Sequence, residues 1–138
     1  MNIDLSTLYS DTHALLDSIA QHLTYLAASA KGSFDYVREQ CLQVARSTLV
    51  SLPLLLDGIY TQYAPLLAEQ PEVAIAHLRA SLLTDFRSPV MTLISACALL
   101  LDEDFGTLNS AQKRHLTAAN DALYEMLDKI EAFAASLA

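Results

Sequence analysis

Turn-forming residues are scarce in this chain of 138 residues, which has three glycines, four prolines and no tryptophan. So few glycines and prolines exclude a fold of many short strands, because such a fold needs them at its turns. The sequence also lacks Asn-Gly hairpin turns and alternating runs of β-branched residues. Alanine, leucine, glutamine and glutamate, which favour helix, dominate the periodic stretches instead. The sequence therefore predicts an all-α protein of a few long helices.

Basic residues are also few, with 8 Lys and Arg against 16 Asp and Glu, which gives a net charge of −8. Nucleic-acid phosphates would be repelled by such a surface, so we expect no nucleic-acid partner. We expect no membrane span, because no run of about 18 apolar residues is free of charge, and no signal peptide, because residues 1–4 are not basic. Cys41 and Cys97 have no metal-ligand spacing and are expected to be free thiols in a cytoplasmic protein.

Apolar residues recur at helical spacing along most of the chain. The mean hydropathy of +0.29 is high for a small protein of thin helices, which favours burial between identical chains. Pro53 predicts a break or a kink in the second helix. Gln70-Pro71 is a clearer boundary, because proline is favoured at the first position of a helix. This boundary divides the chain into an N-terminal helical segment, residues 1–70, and a helical hairpin, residues 71–138.

The first helix of this hairpin contains the sequence Thr-Asp-Phe-Arg-Ser-Pro-Val at residues 84–90, which we call the box. Its apolar stripe continues in phase beyond Pro89, so we expect a kinked but unbroken helix. Asn109-Ser110-Ala111-Gln112 then predicts a capped start for a second helix of apolar heptads. In order and spacing, these features resemble the dimerisation and histidine-phosphotransfer domain of two-component sensor kinases, whose box typically reads His-Glu-Leu-Arg-Thr-Pro-Leu.

The resemblance implies a fold and a set of contacts. In the family, two hairpins pair as a dimeric four-helix bundle, so a homodimer is expected here. The apolar stripes of the two helices should then face the second chain. The residues expected at this dimer interface are Leu82, Phe86, Leu93, Leu116, Leu123 and Ile130.

One departure from the family pattern decides the expected function. Thr84 stands where the family has its phosphoacceptor histidine, and a threonine hydroxyl has no basic nitrogen to accept a phosphoryl group. The chain also has no glycine-rich nucleotide box. We therefore expect a non-catalytic scaffold, without cofactor, that dimerises and binds a sensor kinase or a response regulator. The family binds response regulators near its box, which implies partner-binding residues Thr84, Asp85, Arg87, Ser88 and Met91.

The sequence also allows two other hypotheses for the function. The chain could transfer or remove a phosphoryl group of a response regulator, through His77, seven residues before Thr84, or through Asp85 and Ser88. It could instead be a purely structural bundle whose resemblance is convergent. No histidine or carboxylate pair has the spacing of a metal site, so no metal is expected.

Overall fold

The structure, a computed structural model, describes residues 4–30 and 33–137, and these form long helices with no strand among them. The prediction of an all-α fold is confirmed. The third helical stretch, residues 71–101, consists of three segments that follow one another without a break, and we call it the α3–α4 rod. The elements are α1 (Leu5–Ser29), α2 (Tyr36–Glu69), α3 (Pro71–Ala80), a π-helical segment (Ser81–Phe86), α4 (Arg87–Leu101) and α5 (Ser110–Ser136).

Side chains or proline mark where the helices begin. The carboxylate of Asp35 accepts a hydrogen bond from the backbone N–H of Arg38 at 2.9 Å and caps α2. Pro71 occupies the start of α3, where no N–H partner is needed. Asn109 and Gln112 form the predicted capping box of α5, with reciprocal hydrogen bonds of 2.8 and 3.1 Å. The local start signals in the sequence were thus sufficient to locate α3 and α5.

The four helical stretches form a bundle within one chain. α1 packs beside α2 and α5, and the α3–α4 rod also packs beside α2 and α5. A single hydrophobic core takes side chains from all four. Within this one bundle, α1 and α2 form one hairpin, and the α3–α4 rod and α5 form the other.

This arrangement corrects the expected dimer interface. The six residues assigned to it are all at most 1% exposed within the single chain: Leu82, Phe86, Leu93, Leu116, Leu123 and Ile130. The stripes were recognised correctly as buried faces, but α1 and α2 of the same chain cover them. A second copy cannot reach these side chains while the bundle is folded.

α2 runs through both of its prolines, Pro53 and Pro65. A proline inside a helix removes one backbone hydrogen bond and crowds the preceding turn. Leu52, the residue before Pro53, is 0% exposed, and Leu56, one turn further along the same face, is 3% exposed. Burial of this apolar face stabilises the helix more than the missing hydrogen bond destabilises it, so the break considered for Pro53 does not occur.

Arg38 fastens the loop between α4 and α5. Its side chain is 2% exposed, and its Nη2 donates to the carbonyl oxygen of Asp102 at 2.8 Å. The guanidinium carbon lies 5.6 Å from the ring centroid of Phe34. Across the loop, Lys113 pairs with Glu103 and lowers the pKa of that carboxyl group. The loop that closes the second hairpin is therefore anchored to α2.

Candidate functional site

The box lies at an irregular turn of the α3–α4 rod. Residues Ser81–Phe86 are π-helical, and the backbone N–H of Arg87 donates to the carbonyl of Leu82, five residues earlier. Pro89 lies three residues after Phe86, and its ring would clash with the carbonyl four residues before it in a regular helix. The wider turn gives this ring room, so the helix passes through Pro89 as predicted. Single π-helical turns inside α-helices are frequent at functional sites.

The structure places the predicted partner-binding residues at the surface. Thr84, Asp85, Ser88 and Met91 are exposed, and Arg87 is half-buried. Phe86, between Thr84 and Arg87, is 0% exposed and points into the core. Thr84 and Asp85 therefore face solvent, as contact with a partner would require. Position 84 is therefore accessible to another molecule in this chain.

A groove of about 760 Å³ runs along the outer side of α4 beside the first turns of α2. Four of the five predicted partner-binding residues line it: Thr84, Arg87, Ser88 and Met91. Asp85 is not part of the lining. The other lining residues are Gln40, Cys41, Val44, Leu83, Thr92, Ser95, Ala96 and Leu99. The contribution of α2 to this groove was not foreseen, because the sequence does not show that α2 packs against α4.

The charge in this groove comes from one side chain. Among the described residues that line it, Arg87 alone carries a charge. Its Nε donates to Oε1 of Glu131 on α5 at 3.1 Å, and both side chains are 43% exposed. Such an exposed pair contributes little to stability. Its effect is to fix the direction of the guanidinium at the end of the groove that contains Thr84.

The alternative catalytic residues occupy different places. His77 is exposed on α3 and is not part of the groove lining. Asp85 and Ser88 are both exposed, one on the π-helical segment and one on α4. The structure therefore leaves His77 apart from the groove and brings only Ser88 of this set into it.

Sequence reasoning missed a polar cluster between α1 and α2. Oδ1 of Asp57 accepts the hydroxyl of Tyr9 at 2.5 Å and lies 2.8 Å from Nε2 of His13. The ring centroids of Tyr9 and Tyr60 are 4.4 Å apart. The hydrogen bond from Tyr9 is the main cause of a lowered pKa of Asp57, and the hydrogen bond with His13 lowers this pKa further. The bond between Tyr9 and Asp57 also raises the pKa of Tyr9. We regard the cluster as a clamp between the two helices of the first hairpin.

A second unforeseen contact joins α1 to α5. Nδ1 of His22 lies 2.8 Å from Nδ1 of His115, and the ring of Tyr25 stacks on His115 with centroids 3.9 Å apart. Partial burial, and then the neighbouring His115, lower the pKa of His22. Both imidazoles are partly buried. Only the tertiary arrangement reveals that they meet.

The two thiols differ in accessibility. Cys97 is 0% exposed, and burial raises its pKa to about 11. Cys41 is half-buried in the groove wall, and its pKa is also raised, chiefly by burial. Both thiols are free, as expected. A raised pKa keeps them protonated at neutral pH, so neither has the thiolate character of a nucleophile.

Two further features bear on the class of protein. In the described part of the chain, no cluster of three or more histidines, cysteines and carboxylates could hold a metal ion. Two helices, Tyr36–Glu69 and Pro71–Leu101, are long and apolar enough to cross a membrane by length and composition alone. Core helices of soluble proteins pass the same test, so this property is weak evidence for a membrane location. It does show that α2 and the α3–α4 rod are unusually apolar.

No family model, no curated protein and no solved structure matches the chain. The likeness to sensor kinases therefore rests on the box, the capping box and the order of the helices.

Proposed function

We propose that this chain is a non-catalytic module of two-component signalling, located in the cytoplasm, that dimerises and binds a receiver domain or a sensor kinase at the box. One observation carries the proposal most strongly. Among the box residues assigned to partner binding, Thr84, Asp85 and Ser88 are exposed and Arg87 is half-buried. Thr84, Arg87 and Ser88 line one end of a groove. A surface that resembles the family's binding surface but has Thr84 in place of its reactive histidine suits a protein that recognises a partner and performs no chemistry on it.

The chemistry of the box supports a binding role. Thr84 offers a hydroxyl where a phosphoryl acceptor would need an imidazole nitrogen. Arg87 offers a planar cation that can bind a partner carboxylate, and Glu131 already fixes its direction. Thr84 and Ser88 add hydroxyl groups beside it. A receiver domain, which carries a cluster of carboxylates at its phosphorylation site, is a suitable partner for this surface.

A binding measurement tests the proposal directly. A panel of receiver and sensor-kinase domains from the source organism would be titrated with the full chain by calorimetry, each receiver both unmodified and activated with beryllofluoride. At least one member should bind. Ser88→Arg should weaken this binding at least about tenfold, because a long side chain at an exposed groove position blocks close approach. Thr117→Arg, at an exposed position of α5, is the matched control and should leave the affinity unchanged.

Two outcomes would contradict the proposal. If no receiver or kinase domain binds, the chain is not a two-component module. If a domain binds with equal affinity to the parent and to Ser88→Arg, the box is not the binding surface. Thermal unfolding of each variant shows that the fold is retained, which is expected because Ser88 and Thr117 are both exposed.

A further inference from the structure

Most of the exposed apolar residues belong to two neighbouring helical stretches, α2 and the α3–α4 rod. Ten large apolar side chains are exposed in the described part of the chain; five belong to α2, three to the α3–α4 rod, and only Tyr25 and Tyr124 to the other two helices. α2 and the α3–α4 rod are neighbours in the bundle. Three of the ten, Val44, Met91 and Leu99, line the groove, and apolar surface gathered in one place on a small protein marks a surface that another molecule covers.

Carboxylates are absent from the parts of α2 and α4 that form the groove. None of the sixteen carboxylates lies between Gln40 and Leu56 on α2 or between Arg87 and Leu101 on α4. Arg46 is the one basic residue in the first stretch, and it lines a separate cleft between α1 and α2. By contrast, α5 contains seven charged residues: Lys113, Arg114, Asp121, Glu125, Asp128, Lys129 and Glu131. The groove thus forms the centre of a nearly uncharged face, which we call the α2–α4 face.

We infer that the occupant of the α2–α4 face is a second copy of this chain. Two chains that each carry a net charge of −8 repel one another. The repulsion is smallest where neither copy presents a carboxylate, which is the α2–α4 face. An isologous contact sets the same patch against itself, so it favours a patch with few like charges. The one charged residue among the described groove residues, Arg87, is paired with Glu131 on α5. Val44, Met91 and Leu99, which are 48%, 36% and 44% exposed, supply its apolar surface.

The area of the face can be compared with the area that a specific dimer interface buries. From Leu83 to Leu99 the groove extends about 24 Å at 1.5 Å per residue, and two neighbouring helices span about 20 Å. Two copies would therefore bury about 1,000 Å² in total, which is near the lower limit for a specific interface. Interfaces of about this size belong to weak or transient contacts, so we expect a dimer that dissociates on dilution. The contact would also cover Thr84 and Ser88, so self-association should compete with a partner at the box. The competition with a partner depends on the proposed function, whereas the self-association does not.

Sedimentation equilibrium of the full chain tests the inference without any partner. Between about 1 and 500 µM, the parent should pass from monomer to dimer. Leu99→Glu places a carboxylate on the face of each copy and should raise the dissociation constant at least about tenfold. Tyr124→Glu is the matched control, because Tyr124 is 49% exposed on α5. It should change the constant by less than about twofold. Thermal unfolding should be similar for all three chains, since both altered positions are exposed.

Each other result overturns the inference. A parent chain that stays monomeric across this range has no self-association surface. A dimer that persists in Leu99→Glu, or that Tyr124→Glu disrupts, uses a different surface. The parent would also be mixed with neutral phosphatidylcholine vesicles and centrifuged. A monomer that co-sediments with these vesicles, with Leu99→Glu remaining in solution, would assign the α2–α4 face to lipid.

Discussion

His22 and His115 are 93 residues apart in the sequence, yet their Nδ1 atoms are 2.8 Å apart between α1 and α5. A hydrogen bond between two neutral imidazoles requires opposite tautomers, one donating and the other accepting. Protonation of both rings would remove the acceptor and add a charge repulsion. The contact that joins the first helix to the last one is therefore sensitive to pH.

The first prediction concerns this pH dependence. Burial and the proximity of His115 lower the pKa of His22 below its ordinary value of 6.5. The unfolded chain therefore binds a proton at this imidazole at a higher pH than the folded chain does. The stability that results is complete above pH 6.5 and is lost as the pH falls from there through the folded pKa. Urea unfolding between about pH 7.5 and 5 should show this loss.

The variant His22→Gln isolates the contribution of His22 to the pH dependence. As the pH falls over the same range, the free energy of unfolding of this variant should fall less than that of the parent. The carboxyl groups with a shifted pKa do not interfere. The pKa values of Asp4, Asp57 and Glu103 are lowered from 3.8, 3.8 and 4.5, so these groups stay ionised above pH 5. If the free energy of unfolding falls equally with pH in the parent and in His22→Gln, the contact between His22 and His115 does not govern the acid sensitivity.

Local sequence signals determined much of the fold. The capping box at Asn109, the proline start at Pro71 and the buried stripe through Leu82 and Phe86 all act within a few residues, and all were read correctly. The same stripe was wrongly assigned to a second chain. Helical periodicity shows that a face is buried but does not show what covers it.

The candidate site was predictable only in part. Exposure of Thr84 follows from its phase relative to Phe86, and the structure bears it out. The groove also needs Val44 and Gln40, which come from a helix whose neighbour no local pattern reveals. The π-helical turn was not predicted either, because Pro89 signals an irregularity without specifying its form.

A second prediction uses an unsatisfied group in the core. Thr12 is 0% exposed, and its Oγ1 has no hydrogen-bond partner among the described residues. A buried hydroxyl without a partner costs about 1–3 kcal/mol. Thr12→Val keeps the shape of the side chain, so it should raise the free energy of unfolding by about 1 kcal/mol. Thr117→Val, at an exposed site of α5, should change it by less than about 0.5 kcal/mol. Urea unfolding measures both, and a loss of stability in Thr12→Val would show that the hydroxyl is satisfied in solution.

A third prediction compares two glycines. Gly106 has a φ of 118°, and a Cβ there would lie 3.4 Å from Nη1 of Arg38. Gly106→Ala should therefore destabilise the chain by about 1–2 kcal/mol through backbone strain. Gly58 lies within α2, where an added Cβ would meet no described atom within 4 Å. Gly58→Ala should stabilise the chain by about 0.5–1 kcal/mol, because alanine favours helix. Thermal unfolding should shift in opposite directions for the two variants; shifts in the same direction would contradict the loop geometry.

A fourth prediction separates core from surface on α5. Leu123 is 0% exposed, and its neighbour Tyr124 is 49% exposed. Leu123→Glu places a carboxylate among apolar side chains, at a cost of several kcal/mol, which is comparable to the whole stability of a small domain. Circular dichroism should show an unfolded or molten chain for Leu123→Glu and a native spectrum for Tyr124→Glu. A folded, monomeric Leu123→Glu would restore Leu123 to an interface between two copies.

The last prediction concerns phosphoryl chemistry at the box. The parent should acquire no acid-labile phosphate from labelled ATP or from a phosphorylated receiver domain that binds it, because Thr84 has no imidazole nitrogen. Thr84→His places an imidazole at an exposed position beside Asp85, which can orient it. This variant should gain label from the phosphorylated receiver, since the donor supplies the phosphoryl group and the chain needs only an acceptor. His77→Gln in the parent is the control for the alternative acceptor. Label on the parent that His77→Gln abolishes would identify a phosphotransfer protein instead of a scaffold.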